Sequence, residues 1–247
     1  VAGIVFLVLA AVAPLTGIVV VASLVIAFGN GGGAPVSFFL VAVILLLFAV
    51  GYAQMSKQLV NAGGFYAFVV KGLGRTGGMI AGLIATLGYN FFVVGTIGTS
   101  GFFMQTIIAQ LTGLDIHWLV WGLLSIAVCF VLARIGVDFS SKVLGVCLVL
   151  EVSMLVVFDI SVLVRTGYSF EAFSPAAVFS GSLPIGLLLA ATGFLGFEAT
   201  ALFSEEAKKP LRTIPRATYT AITAIGIILG VTTWAVVSAI GVAKAQK

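Results

Sequence analysis

The sequence predicts an all-α, polytopic membrane helix bundle, and three observations predict it. Of 247 residues, 61% are hydrophobic and 8% charged, whereas soluble domains carry roughly 25% charged residues. The mean hydropathy is +1.27. The apolar runs are also long, reaching the roughly 20 residues a helix needs to cross hydrocarbon. Only helices and closed barrels satisfy their backbone groups in lipid. Barrel strands are short and alternate in polarity, so these runs are helices. Thirty glycines fit the same picture, because small residues let membrane helices approach closely.

Seven spans follow in order, at roughly 1–28, 36–56, 79–111, 117–134, 142–165, 182–204 and 218–243. The first lacks a basic flank and a small-residue cleavage pattern, so it reads as a span and not a signal peptide. The chain opens on Val1 without an initiating Met, which suggests a truncated start. The connections are 30–35, a 22-residue stretch over 56–77, short turns near 112–116, 135–141 and 166–181, and the charged loop 204–217. With the N-terminus cytoplasmic, Lys57, Lys71, Arg75, Arg134, Lys142, Lys208, Lys209, Arg212 and Arg216 fall inside, and Arg165, Lys244 and Lys247 outside. Nine against three is the positive-inside bias of a multi-pass protein. The net charge of +4 is spread over these loops, so it marks topology and implies no nucleic-acid partner. Cys129 and Cys147 lie inside apolar runs and read as small buried hydrophobes.

Two spans are interrupted. The first carries Ala13-Pro14-Leu15-Thr16-Gly17 near its middle, and the sixth Thr192-Gly193-Phe194-Leu195-Gly196-Phe197-Glu198. Proline removes an N–H, and glycine weakens a helix. Broken helices at corresponding positions of two repeats point to a midplane binding site. The plainer reading is a pair of kinks.

The sixth span runs on into Glu205-Glu206-Ala207-Lys208-Lys209-Pro210 and Arg212-Thr213-Ile214-Pro215-Arg216-Ala217. With the Gly-Phe-Glu segment before it, this run resembles the signature of the amino acid–polyamine–organocation superfamily. Gln58-Leu59-Val60-Asn61-Ala62-Gly63-Gly64-Phe65-Tyr66, followed by Gly72-Leu73-Gly74, resembles that family's loop after its second helix. Here Val60 and Asn61 replace its usual proline region. Pro14-Leu15-Thr16-Gly17 is similar to a variant of the first-helix break.

The resemblance implies a secondary transporter that moves amino acids or related amines across a membrane by alternating access. It implies a five-plus-five inverted repeat, with the first repeat at about 1–165 and the second, incomplete here, starting at about 182–243 of one transmembrane domain. Family members have ten to fourteen spans, so either the C-terminal half is not included or this is a partial product. The implied substrate contacts are Pro14, Leu15, Thr16 and Gly17 with Thr192, Gly193, Phe194 and Gly196, and Tyr89 and Asn90 from the third span. The implied setting is a lipid bilayer, a plasma (inner) membrane, with a small-molecule substrate. Proton coupling is one of several driving forces it allows, and no enzyme activity, metal or organic cofactor is implied. The alternatives are a transporter of another small organic solute and a non-transporting membrane subunit.

Several charged residues carry two readings each. Glu198 is either a proton-coupling or gating carboxylate, or an acid that satisfies the unwound backbone of the first helix. Glu151 and Asp159 lie about 2.2 turns apart on one helix face, as a proton path or as acids facing a polar seam. Glu205, Glu206, Lys208 and Arg212 form either an inner-gate ion-pair network or a solvated loop. Rival classes fail on inspection. Gly98-Thr99-Ser100-Gly101 fits a serine-protease pattern, but the single histidine, His117, lies at a span edge and not within reach as a base. A seven-helix receptor would place the N-terminus outside, and a retinal protein needs a lysine in the seventh span. Nothing resembles a channel filter.

Overall fold

The computed structural model describes residues 2–59, 63–204 and 209–245, and among these the chain is helical with no strand. The first span comprises α1 (Ala2–Val12), α2 (Pro14–Thr16), a π-helical turn over Gly17–Ala22 and α3 (Ser23–Phe28). A 3-10 turn at Gly31–Gly33 leads into α4 (Ala34–Gln58), and α5 (Gly64–Thr112), α6 (Trp118–Ile135) and α7 (Val137–Arg165) follow. Then come a 3-10 turn at Phe170–Phe173, α8 (Pro175–Val178) and α9 (Leu183–Thr192). A 3-10 segment over Phe197–Ser204, α10 (Pro210–Ile240) and α11 (Val242–Ala245) complete the order. Seven segments of the described chain are long and apolar enough to cross a membrane, the number expected from the sequence. This is an integral, multi-pass membrane protein.

Three connections differ from expectation. The stretch 56–77 is largely helical: α4 runs to Gln58, and α5 begins at Gly64. Val60, Asn61 and Ala62 lie outside the described residues, and within α5 the φ of 76° at Gly74 turns the chain in a region open to glycine at little cost. After that turn Gly78 packs against Val70. The charged loop before the seventh span is also shorter than predicted, because α10 starts at Pro210. Proline suits the first helical turn, where its missing N–H has no partner to lose. Finally, 166–181 is not a bare turn. The Ser174 hydroxyl accepts from the Ala177 N–H at 3.2 Å and caps α8.

The chain divides into two compact units, 1–64 with 144–247, and 65–143. In the first, α10 lies along α4, and the core holds Phe38, Phe194, Ile214, Ile222, Ile225 and Leu229 fully buried. Small residues permit the close approach: a methyl on Gly226 would stand 2.6 Å from Ala42 Cβ, and one on Gly230 would stand 2.5 Å from the Phe39 ring. A second tight joint links the end of the first span to α8 and the start of α9. There the Ser182 N–H donates to the Gly29 carbonyl at 2.9 Å, and Ser37 Oγ donates to Oδ1 of the fully buried Asn30 at 2.9 Å.

In the second unit, Gly101 lets α5 meet α6 at Trp118, and Ser100 and Ser125 share a hydroxyl contact of 3.3 Å. Gln105 ties the intervening turn, donating to Asp115 Oδ1 at 2.6 Å and accepting from the Trp118 N–H at 2.9 Å. His117 Nδ1 accepts from the Leu119 N–H at 3.3 Å as the cap of α6.

The tight joint makes a stability prediction. A methyl on Gly33 would meet backbone, 2.6 Å from Val178 Cα, whereas one on Gly51 meets open space. Gly33→Ala is expected to cost about 1–3 kcal/mol, and Gly51→Ala to be neutral or stabilising by up to about 1 kcal/mol. Thermal melting of the two variants in detergent checks this, and equal midpoints would contradict it.

Candidate functional site

The two interrupted helices lie in the first unit, and their breaks meet. In the first span α1 stops at Val12, and Ala13 takes a left-handed conformation with φ 50° and ψ 74°. That geometry costs a non-glycine residue about 1–3 kcal/mol and persists only where the surroundings impose it. The chain restarts at Pro14 and widens at once into the six-residue π-helical turn, a rare geometry that is frequent at functional sites. In the sixth span α9 ends at Thr192, and Gly196, with φ 106°, swings the chain into the 3-10 segment that follows. A methyl on Gly196 would stand 3.5 Å from Val12 Cγ2 and 3.8 Å from Val12 N, so the second break abuts the first.

Unwinding strands backbone groups, and side chains take them up. The Leu15 N–H donates to Glu151 Oε2 on α7 at 3.3 Å. The Gly196 N–H donates to Glu198 Oε2 at 3.0 Å, and the Tyr52 hydroxyl of α4 donates to the Glu198 carbonyl at 2.6 Å. Thus an acid does support the first-span break, and it is Glu151. Glu198 serves the break in its own span. Below it Thr200 and Thr218 share a hydroxyl contact of 2.8 Å, both fully buried, and Thr218 donates to the Ile214 carbonyl at 3.0 Å. Tyr52, Phe48 and Phe197 pack their rings around this corner.

Most of the predicted site residues fall at these breaks. Pro14 and Gly17 are buried, Leu15 is half-buried, and Thr16 is exposed. Gly193 and Gly196 are buried beside them, and Thr192 is exposed with its hydroxyl on the Leu189 carbonyl at 2.7 Å. The Phe194 ring is 1% exposed and lies in the core, so what that residue offers is backbone. Tyr89 and Asn90 belong to the second unit, both exposed on α5, with Asn90 Nδ2 donating to the Thr86 carbonyl at 2.7 Å. Glu205, Glu206 and Lys208 lie outside the described residues, and Arg212 is exposed in the first turn of α10.

Asp159 sits elsewhere in the first unit. Thr232 Oγ1 donates to its Oδ2 at 3.0 Å, and the Tyr168 hydroxyl donates to its carbonyl at 3.2 Å. Tyr168 stacks on Trp234, whose indole N–H donates to the Ser169 carbonyl at 2.8 Å. Burial first, and then the charge of Asp159, pushes the Tyr168 phenol up. Glu151 and Asp159, both on α7, therefore hold different partners: Leu15 at the first-span break, and Thr232 with Tyr168.

Sequence reasoning missed the Tyr52 contact and the full burial of Leu229. The Gly226-x-x-x-Gly230 spacing, a small-residue helix contact, was the available signal that this stretch of the seventh span lies deep in the bundle.

In comparison with known proteins, the amino acid permease family model matches residues 3–246. The chain belongs to the amino acid permease family. It is 27% identical over 206 residues to the branched-chain amino acid permease BcaP of Lactococcus lactis subsp. cremoris (strain MG1363), covering 75% of this chain and 44% of that relative. It is 24% identical over 206 residues to the Bacillus subtilis (strain 168) branched-chain amino acid permease BcaP, covering 75% and 43%. The methylthioribose transporter of Bacillus subtilis (strain 168) is 26% identical over 218 residues, covering 81% and 46%. The chain spans about half the length of the curated relatives it matches. No solved structure matches it. Family membership sets this permease chain apart from enzymes.

The Glu151 contact yields a prediction. Removing the acceptor leaves a backbone N–H without its partner, which costs about 1–2 kcal/mol. Glu151→Ala is therefore expected to melt earlier in detergent than Glu151→Gln, whose amide oxygen still accepts. Equal melting of the two variants would show that the Leu15 N–H does not depend on this side chain.

Proposed function

We propose that the whole protein is a secondary transporter that moves amino acids or related amines across a membrane by alternating access. The observation that carries this reading is the meeting of two interrupted helices at Val12 and Gly196. Half-helix N-termini attract anionic groups, and unwound carbonyls attract cations. A zwitterionic amino acid needs both within one small space. Backbone from Pro14 to Gly17 and from Thr192 to Gly196 supplies them in the proposed site. The names of two relatives, both branched-chain amino acid permeases, support an aliphatic amino acid as the substrate class.

The finer assignments belong to the same proposal. The N-terminus is cytoplasmic in a plasma membrane, and the spans form a five-plus-five inverted repeat whose second half begins near 182. Glu198 couples transport to protons, since its carboxylate holds the Gly196 N–H at the break itself. Protonation weakens that acceptor and loosens the turn. Glu205, Glu206, Lys208 and Arg212 close the inner mouth. A second reading, transport of another small organic solute, draws on the likeness to a methylthioribose transporter.

Uptake of a labelled panel into proteoliposomes holding the whole protein tests both readings. Aliphatic amino acids are expected to enter, with stimulation by a proton gradient that Glu198→Gln removes. Uptake of a thiosugar without amino acids would transfer the assignment to the second reading. Gly196→Leu forces a branched side chain onto a φ of 106°, and Gly193→Leu fills the break. Each is expected to lower uptake by at least about tenfold while expression persists. Normal uptake by both variants would sink the proposed site.

A further inference from the structure

We propose that Leu229 of the seventh span is the positioning residue that sets the separation of the two helix breaks, and through it the size of side chain the transporter accepts. The inference rests on the reading of the breaks as the substrate site. Leu229 is fully buried, and its methyl groups occupy the space beside a glycine of each break. A methyl added to Gly17 would stand 2.8 Å from Leu229 Cδ2, and one added to Gly193 would stand 3.0 Å from Leu229 Cδ1. Carbon atoms prefer about 3.5–4.0 Å, so no room remains on either side.

The seventh span is brought to this depth by its neighbours in sequence. Gly226 and Gly230 flank Leu229 and press against Ala42 and the Phe39 ring of α4. The helix therefore cannot retreat from the breaks without opening that seam, and it cannot advance without Leu229 colliding with backbone. Each break also meets other groups. A methyl on Gly193 would also stand 3.2 Å from the Ala190 carbonyl oxygen and 3.4 Å from the Phe38 ring. The Leu229 side chain lies against both Gly17 and Gly193. A spacer in that place holds both segments at one distance. Shortening it lets them close together and narrows what fits between them.

A double-mutant cycle on the whole protein tests this, with Gly17→Ala, Leu229→Ala and the pair. Thermal melting in detergent and proteoliposome uptake are both read. Gly17→Ala alone is expected to lower the melting midpoint and reduce aliphatic amino-acid uptake by about tenfold. In the pair, the space left by Leu229 is expected to accommodate the new methyl, so both readouts return to those of Leu229→Ala alone. Leu229→Ala alone is expected to raise KM for leucine more than for alanine at similar maximal rates, a split that general destabilisation does not produce. Additive effects in the melting cycle would overturn the contact. A KM change equal for both substrates would overturn the spacer role. If the unaltered protein takes up no amino acid, the substrate reading fails, and the melting cycle alone decides whether Leu229 couples the two breaks.

Discussion

A backbone amide or carbonyl within hydrocarbon has no water to turn to, and that constraint governs this molecule. An unbroken helix meets it without help. The first and sixth spans do not, because each surrenders its own hydrogen bonds in mid-course, at Ala13 and at Gly196. The side chains around them act as replacements. Glu151 reaches from the fifth span to Leu15, Glu198 turns back on Gly196, and Tyr52 reaches from the second span to the Glu198 carbonyl. Charged groups in a span are costly. Here the cost is offset by holding backbone that would otherwise stand unpaired.

The same requirement explains where the small residues lie. Apolar burial supplies little drive between helices in lipid, so contact depends on close packing. Gly226 and Gly230 draw the seventh span onto the second, and Gly17 and Gly193 leave space for Leu229. Bulk on one helix answers absence of bulk on another. The core is built by pairing a glycine with a large side chain, as Gly230 with Phe39, more than by matching large side chains.

How much of this was legible in the sequence depends on the physics of each feature. The seven spans were, because a membrane helix announces itself by apolar length alone. The breaks were, because Pro14, Gly17, Gly193 and Gly196 disfavour helix wherever they occur. The helix start at Gly64 was not, since Lys71 and the glycines at 72, 74, 77 and 78 have the composition of a loop. Nor was the helical state of 210–217, whose charges and two prolines look like a connector although Pro210 begins the helix. Leu229 is one leucine in an apolar span, and composition cannot mark it. Glu151 stood out as an acid in lipid, but its partner is a backbone group 136 residues away, and only the fold brings the two together.

The joint at Asn30 has a mechanical consequence. Gly29, Gly33 and Gly186 bring backbone against backbone there, and the Asn30 side chain is sealed from solvent. Three spans are thus pinned at one end, and a pin makes levers. From that pivot α4 extends 25 residues, about 37 Å at the helical rise, so a tilt of about 5° moves its far end by about 3 Å. Near the pivot the same tilt moves atoms by a small fraction of that. Any rocking of these helices is therefore amplified toward Gln58, and a spectroscopic label beside Asn30 would sit at the still point of the motion.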